Sequence, residues 1–343
     1  ENTHHTKYSF EIDKPDIVFY NNPYDGVNLK KFQSHNVKKH VGCMVYVPYY
    51  LDSIPRYFTK DAFEAFYRVR TGLPGQENAD IIISGNDWMV NIIERENAVK
   101  RVALGNPKTD YFIEAKKHGK NTVPEWGNKK LSGCIFMLNT HYTVANMEDT
   151  KKIYIIEYII SFIEKNKDCS LIWRPHPQTF LMLEGRQDNL AKRLILIMKK
   201  IQDLDRVVLD TSGSATNAYM HSDAFISTQW SSTVLEALFF DIPAFVCSQD
   251  IVTKKNEKVI NKKGKMKKNV LYREEAVISP DFYPKENKQW DIIISEFMKD
   301  IMNGKDVKKD KRRIFSNQTF KNGDGTCGFE IYKYIKTHSK GVI

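Results

Sequence analysis

Strand-length apolar runs alternate with helix-length stretches along this chain, and the alternation begins twice. In the first series, "DIVFYNNPYD" (16–25), "VGCMVYVPYY" (41–50), "ADIIIS" (79–84) and "RVALGNPKTDYF" (101–112) each carry a short buried run into an Asn, Pro or Gly turn. Between them, "DAFEAFYRVR" (61–70) has helical spacing, and a helix is expected after the Ser-Gly-Asn-Asp turn, with Asp87 near its start. The pattern lapses in "GKNTVPEWGNKK" (119–130) and then resumes. The second series has strands in "GCIFMLNTHYT" (133–143), "CSLIWRPHP" (169–177), "RVVLDTSGS" (206–214) and "SDAFIS" (222–227). Helices are expected in "DTKKIYIIEYIISFIEKN" (149–166), capped by Asp149 or Thr150, and in "LAKRLILIMKKIQDL" (190–204). Strands that alternate with helices form parallel sheets with helical crossovers. The expected fold class is therefore α/β, with two Rossmann-like domains facing a cleft. The boundaries drawn are 1–125 for an N-terminal acceptor-side domain and 126–320 for a C-terminal donor-binding domain. A helical tail, 321–343, is expected, with room for it to pack back on the N-terminal domain.

Length agrees with two domains, because 343 residues exceed one ordinary core. A hydrophobic content of 41% excludes a disordered chain. The longest apolar stretch, Ile153 to Ile163, is broken by Glu157 and is too short to span a bilayer. With no secretory signal, the expected location is cytoplasmic, with peripheral attachment to the inner face of the plasma membrane. Cys43, Cys134, Cys169, Cys247 and Cys327 are scattered and lack CxxC spacing, so reduced thiols are expected. No metal site is expected, and the sequence requires no cofactor. The formal net charge of +10 is concentrated in "KKNEKVINKKGKMKK" (254–268) and "KKDKRR" (308–313). These runs are read as solvated loops, or as contacts for an anionic polymer or membrane surface. They lack aromatic residues for base stacking, and no nucleic-acid partner is expected.

"WRPHPQTF" (173–180) follows the apolar run Ser170-Leu171-Ile172. Proline donates no ladder hydrogen bond, so Pro175 and Pro177 are expected to end that strand. Arg174 and His176 then stand on stiff backbone at the carboxyl edge of a sheet, where open α/β folds bind ligands. A cationic pair there suits a phosphate; a proline-rich turn with a solvated arginine is the competing reading.

A second loop has the same character. In "SDAFISTQWSSTVLEALFFDIPAFV" (222–246), a buried strand passes through Gln229–Ser232 into a helix stopped by Asp241-Ile242-Pro243. Ser231 and Ser232 fall at the helix N-terminus, whose backbone N–H groups and dipole favour an anion. Glu236, about one turn in, is placed to accept from ribose hydroxyls. Ordinary capping explains a lone serine there. Two anion-suited loops on one sheet edge fit a diphosphate better.

These motifs resemble those of the CDP-glycerol glycerophosphotransferase family, the teichoic acid and capsule polymerases with a GT-B-like fold. "LGNPKTD" (104–110) looks like the family's Gly-x-Pro-Arg-x-Asp turn and "LIWRPHP" (171–177) like its Arg-x-His-Pro motif. The strand, Ser-Ser and helix of 222–245 and the closing "NGDGTCGFEIYKYI" (322–335) resemble its last elements. The resemblance implies Arg174, His176, Ser231, Ser232 and Thr233 as pyrophosphate ligands. Pro177, Gln229, Glu236, Asn139, Thr140, Asp210, Ser212, Asn106 and Lys108 complete the expected donor-binding set. The family's Trp-His-Gly-Thr string is absent, and "KKHVGCMVYVPYY" (38–50) occupies the comparable position.

The implied reaction transfers glycerol phosphate or ribitol phosphate from a CDP-alditol to a hydroxyl of a cell-surface polymer or its lipid-linked precursor, releasing CMP. Such phosphoryl transfer needs alignment and stabilisation of spreading negative charge. His40 is the first choice for the base and His141 the second, with Arg174 and His176 completing the catalytic set. Two alternatives stand beside this reading. One is a glycosyltransferase using a CMP- or nucleotide-diphosphate sugar. The other is an inactive, membrane-peripheral binding module.

Overall fold

The computed structural model describes residues 8–53, 71–87, 89–90, 100–145, 150–247, 273–280 and 284–338. The helical stretch expected at 61–70, most of the helix after Asp87 and the lysine run 254–268 lie outside the described residues. The chain forms two compact units. The first takes residues up to Glu114 together with the C-terminal segment from Asn317; the second takes the described residues between Ala115 and Ser316.

The first unit is built on a four-stranded parallel sheet in the order β1 (Ile17–Tyr20), β2 (Cys43–Tyr46), β3 (Ile81–Ser84), β4 (Lys100–Ala103). β2 and β3 are buried throughout, as unbroken Val/Ile-type runs require when both faces are covered. One face is covered by the helix Cys327–His338, whose Ile331 and Ile335 pack on Cys43, Val45, Ile81 and Ile83. The tail therefore returns to the first unit. Asp110 fixes its start, accepting from the backbone N–H of Cys327 at 3.0 Å and of Gly328 at 2.7 Å.

The second unit holds a five-stranded parallel sheet in the order β7-β6-β5-β8-β9. These are β5 (Cys134–Thr140), β6 (Cys169–Pro175), β7 (Val207–Leu209), β8 (Ala224–Ser227) and β9 (Ala244–Val246). The chain travels outward from β5 to β7, then crosses back to β8 and β9. The helix Thr150–Lys165 follows β5 and buries Ile153, Ile156, Ile160 and Ile163, a three-four-three spacing that lays one stripe on the sheet. Each such side chain contributes about 1.5–3 kcal/mol of burial. Glu157, the break in the apolar run, lies off this stripe and pairs with Arg193 of the helix Asn189–Gln202.

β6 does not end before its first proline. It runs through Pro175, which pairs with Thr140 of β5. The His176 N–H donates to the Thr140 carbonyl, so the alternate position, Pro175, has its missing N–H on the β7 side. β7 has already stopped, with Leu209 opposite Trp173, so the proline costs no ladder bond.

Candidate functional site

Strand order reverses between β5 and β8, and doubly wound sheets bind ligands in the crevice outside the carboxyl ends of the strands at that point. Asn139, near the end of β5, ties this edge together. Its side-chain oxygen accepts from Thr233 Oγ1 at 3.0 Å, its amide donates to the Arg174 carbonyl at 3.1 Å, and its own carbonyl accepts from the Thr228 N–H. The two loops singled out in the sequence are thus joined through one buried amide.

On the β8 side, Ser231 is the N-cap of the helix Ser232–Phe239, yet its side chain makes no hydrogen bond to the helix backbone. Its Oγ lies 2.6 Å from Thr233 Oγ1 instead. The first turn is left without a side-chain cap, with two hydroxyls beside it.

On the β6 side, Arg174 turns inward. Its guanidinium donates to Asp210 at 2.6 Å, to Ser212 Oγ at 3.1 Å and to the Ser212 carbonyl at 2.8 Å. The Asp210 side chain is fully buried and also accepts from Trp126 Nε1 at 3.0 Å. Arg174, Asp210 and Ser212 therefore brace the loop after β7, while Arg174 carries its charge at the strand edge.

His176 and His141 come together with Tyr142. The histidine rings are 5.8 Å apart between centroids, and Tyr142 lies 4.1 Å from His141 and 5.4 Å from His176. Protonation of both histidines is disfavoured. Burial, the neighbouring His176 and the Lys152 ammonium push His141 down to about 4, and burial lowers His176. Lys152, in the first turn of the helix after β5, donates to Thr143 Oγ1 at 3.0 Å and lies 3.4 Å from Gln229 Oε1. The edge thus combines two cationic side chains, two neutral imidazoles and an uncapped helix start.

The remaining expected residues divide. Thr140 is buried, its Oγ1 accepting from Trp173 Nε1 at 3.1 Å, and Pro177 is exposed as the N-cap of the short helix Gln178–Leu183. Glu236 is only 4% exposed and lies against Tyr219, whose hydroxyl is pushed well up by burial and by that carboxylate. A ribose contact at Glu236 is disfavoured, because the helix buries the side chain. Asn106 and Lys108 belong to the first unit. Asn106 donates to the carbonyls of Pro48 and Tyr50 and accepts from the Lys108 N–H, a structural role in a turn. His40 stands between the residues of helix Ser34–Lys38 and β2, at the amino end of that strand, 3.8 Å from Glu11. Ligands bind at the opposite, carboxyl ends, so strand polarity argues against the base role given to His40.

Sequence reasoning missed Tyr142, Thr143 and Lys152. A lysine in the first turn of the helix after the first strand of this unit was the available signal. It also missed a largely apolar pocket in the first unit, at the carboxyl ends of β2 and β3, where Tyr46, Asp52, Gln76, Ser84 and Arg101 stand beside Pro48, Ile82, Ile83 and Met89. Burial pushes the Tyr46 hydroxyl up. Among the described residues there is no group of three or more metal-ligating side chains and no helix long and apolar enough to cross a membrane.

No protein-family model matches the sequence, and no curated protein does. Solved structures do match in fold. The Staphylococcus aureus MnaA–UDP structure is similar over 97% of this chain and 78% of its own, with a TM-score of 0.57 at 15% identity. The UDP-GlcNAc 2-epimerase of Methanocaldococcus jannaschii, in complex with UDP-GlcNAc and UDP, is similar over 95% of this chain and 77% of its own, with a TM-score of 0.55 at 15% identity. A variant of the wall teichoic acid polymerase TagF soaked with CDPG is similar over 95% of this chain and 73% of its own, with a TM-score of 0.50 at 13% identity. At such identities the likeness is one of fold: two parallel-sheet units of the Rossmann-type, GT-B-like class.

Proposed function

We propose that this chain is an enzyme acting on a nucleotide-diphosphate donor, and specifically that it transfers an alditol phosphate from a CDP-alditol. One observation carries the reading. Asn139 joins the Arg174-Pro175-His176-Pro177 loop to the Ser231–Thr233 helix start at the point where strand order reverses. That is where phosphates bind in such sheets, on a helix N-terminus. The order of these motifs supports the CDP-alditol, as does the fold shared with TagF.

In this reaction an acceptor hydroxyl attacks the phosphorus that carries the alditol. The new P–O bond forms as the bond to the bridging oxygen breaks, and CMP leaves with that electron pair. Arg174, Lys152 and the helix start oppose the charge that spreads over the phosphoryl oxygens. The acceptor is a hydroxyl of an anionic polymer or lipid-linked precursor. Its proton passes to water as the new P–O bond forms.

A second reading is favoured by the higher fold similarity of the UDP-GlcNAc 2-epimerases: a nucleotide-sugar enzyme using the same edge. CDP-glycerol labelled with 32P at the glycerol-bearing phosphorus separates the two. Transfer of label to a polymer acceptor with release of unlabelled CMP is expected. Turnover of UDP-GlcNAc without any transfer of phosphorus from CDP-glycerol would replace the first reading by the second.

A further inference from the structure

His141 and His176 share one hydrogen-bonding arrangement. The backbone N–H of Thr143 points at Nδ1 of His141 at 3.4 Å, and the backbone N–H of Gln178 points at Nδ1 of His176 at 3.2 Å. Each ring is addressed by the N–H two residues further on. A backbone N–H cannot turn to become an acceptor, so the Nδ1 it meets carries no proton. The Thr143 hydroxyl lies 3.1 Å from His141 Nδ1 and 3.2 Å from Gln229 Oε1 and has one proton to give, so the backbone N–H is what carries the His141 assignment. In a neutral imidazole the proton then sits on Nε2. Neither Nε2 has a hydrogen-bond partner among the described residues.

The surroundings disfavour protonation of both rings. His141 faces the Lys152 ammonium through Thr143, the His176 ring and the Tyr142 ring; His176 faces His141 and Tyr142. Among the described residues no carboxylate lies against either ring, and Asp210 at this edge is engaged by Arg174. A positive charge on His141 would face the Lys152 ammonium, and one on His176 would lose solvation through burial.

We propose that His141 and His176 act on the donor's phosphate oxygens as a pair of neutral Nε2–H donors, and that neither is the general base or an imidazolium. This rests on the reading that the β5/β6 edge holds the donor diphosphate. A neutral imidazole can donate to a developing anion, and its N–H remains in place as pH rises. An imidazolium would be lost through its titration. The pair supplies direction at the phosphoryl group, while Arg174, Lys152 and the helix start supply charge.

The test has two readouts. In 15N-histidine spectra of the whole chain without nucleotide, both rings should show the Nε2–H tautomer at pH 7, and His141 should stay neutral at pH 6. An Nδ1–H tautomer in either ring, or an imidazolium at His141 at pH 6, overturns the proposal whatever the protein binds. The second readout is affinity for CDP-glycerol, whose phosphates are diesters and keep constant charge across this range. Binding should be level between pH 8 and pH 6, whereas an imidazolium role requires it to tighten as pH falls. His176→Gln, which returns an amide N–H near the Nε2 position, should bind within about threefold of wild type. His176→Asn and His176→Ala should each lose on the order of tenfold or more. Equal losses in Gln and Ala variants would overturn the donor role. If neither CDP-glycerol nor UDP-GlcNAc binds, the donor-site reading fails, a result distinct from a wrong tautomer.

Discussion

Arg174 spends its guanidinium on Asp210, at 2.6 Å, with the Asp210 side chain wholly buried and that of Arg174 14% exposed. This pair holds the loop after β7 against the end of β6, so it sets the shape of the edge where the donor is proposed to sit. Removing one partner leaves the other charged and buried. Arg174→Ala and Asp210→Ala are each expected to cost about 3–5 kcal/mol, read as a shift in urea midpoint. Arg174→Lys should not restore the loss, because a lysine cannot donate in the same fork to Asp210 and Ser212. A well-folded Arg174→Ala protein of unchanged stability would refute the bracing role.

The C-terminal helix should detach when its anchor is removed. Asp110 accepts from two backbone N–H groups at the start of that helix, and Gly105 adopts φ +89 beneath it. A Cβ on Gly105 would run into the Lys321 carbonyl and the Cys327 sulfur. Asp110→Ala should cost about 1–2 kcal/mol as a lost cap, and Gly105→Ala more, since it adds strain to the clash. Amide exchange in 327–338 should accelerate in both variants. Unchanged exchange would mean that the packing of Ile331 and Ile335 suffices alone.

Acid sensitivity follows from His141. Its folded pKa, about 4, lies below that of an ordinary histidine, so between those values the unfolded chain binds more protons. The contribution of this group is complete above about pH 6.5 and is lost as pH falls toward 4. The melting temperature of wild type should fall over that window, and His141→Gln should flatten that part of the profile. An identical pH profile in the variant would show that His141 titrates normally.

The strands were legible because a buried parallel strand is a short unbroken apolar run, and both series show it. The two anion-suited loops were legible for a related reason: prolines and serines at strand and helix ends mark backbone that cannot continue. What stayed hidden depends on partners distant in sequence. Nothing near Pro175 reveals that β7 stops early enough to let a proline sit in the strand. "LGNPKTD" reads as a ligand turn, yet Asn106 ties down the chain at Pro48 and Tyr50, and Asp110 receives a helix that begins more than two hundred residues later. Glu236 lies in a helix so apolar that its spacing could not tell the buried face from the open one. The inward turn of Arg174 needs Asp210, which only the sheet order brings alongside.

Amide hydrogen exchange with and without CDP-glycerol tests the central claim most directly, because it reports where the ligand sits as well as whether it binds. New protection is expected in three segments, 139–143, 174–178 and 228–234, which come from the ends of β5, β6 and β8. Protection confined to other segments, or none at saturating CDP-glycerol, would contradict the account.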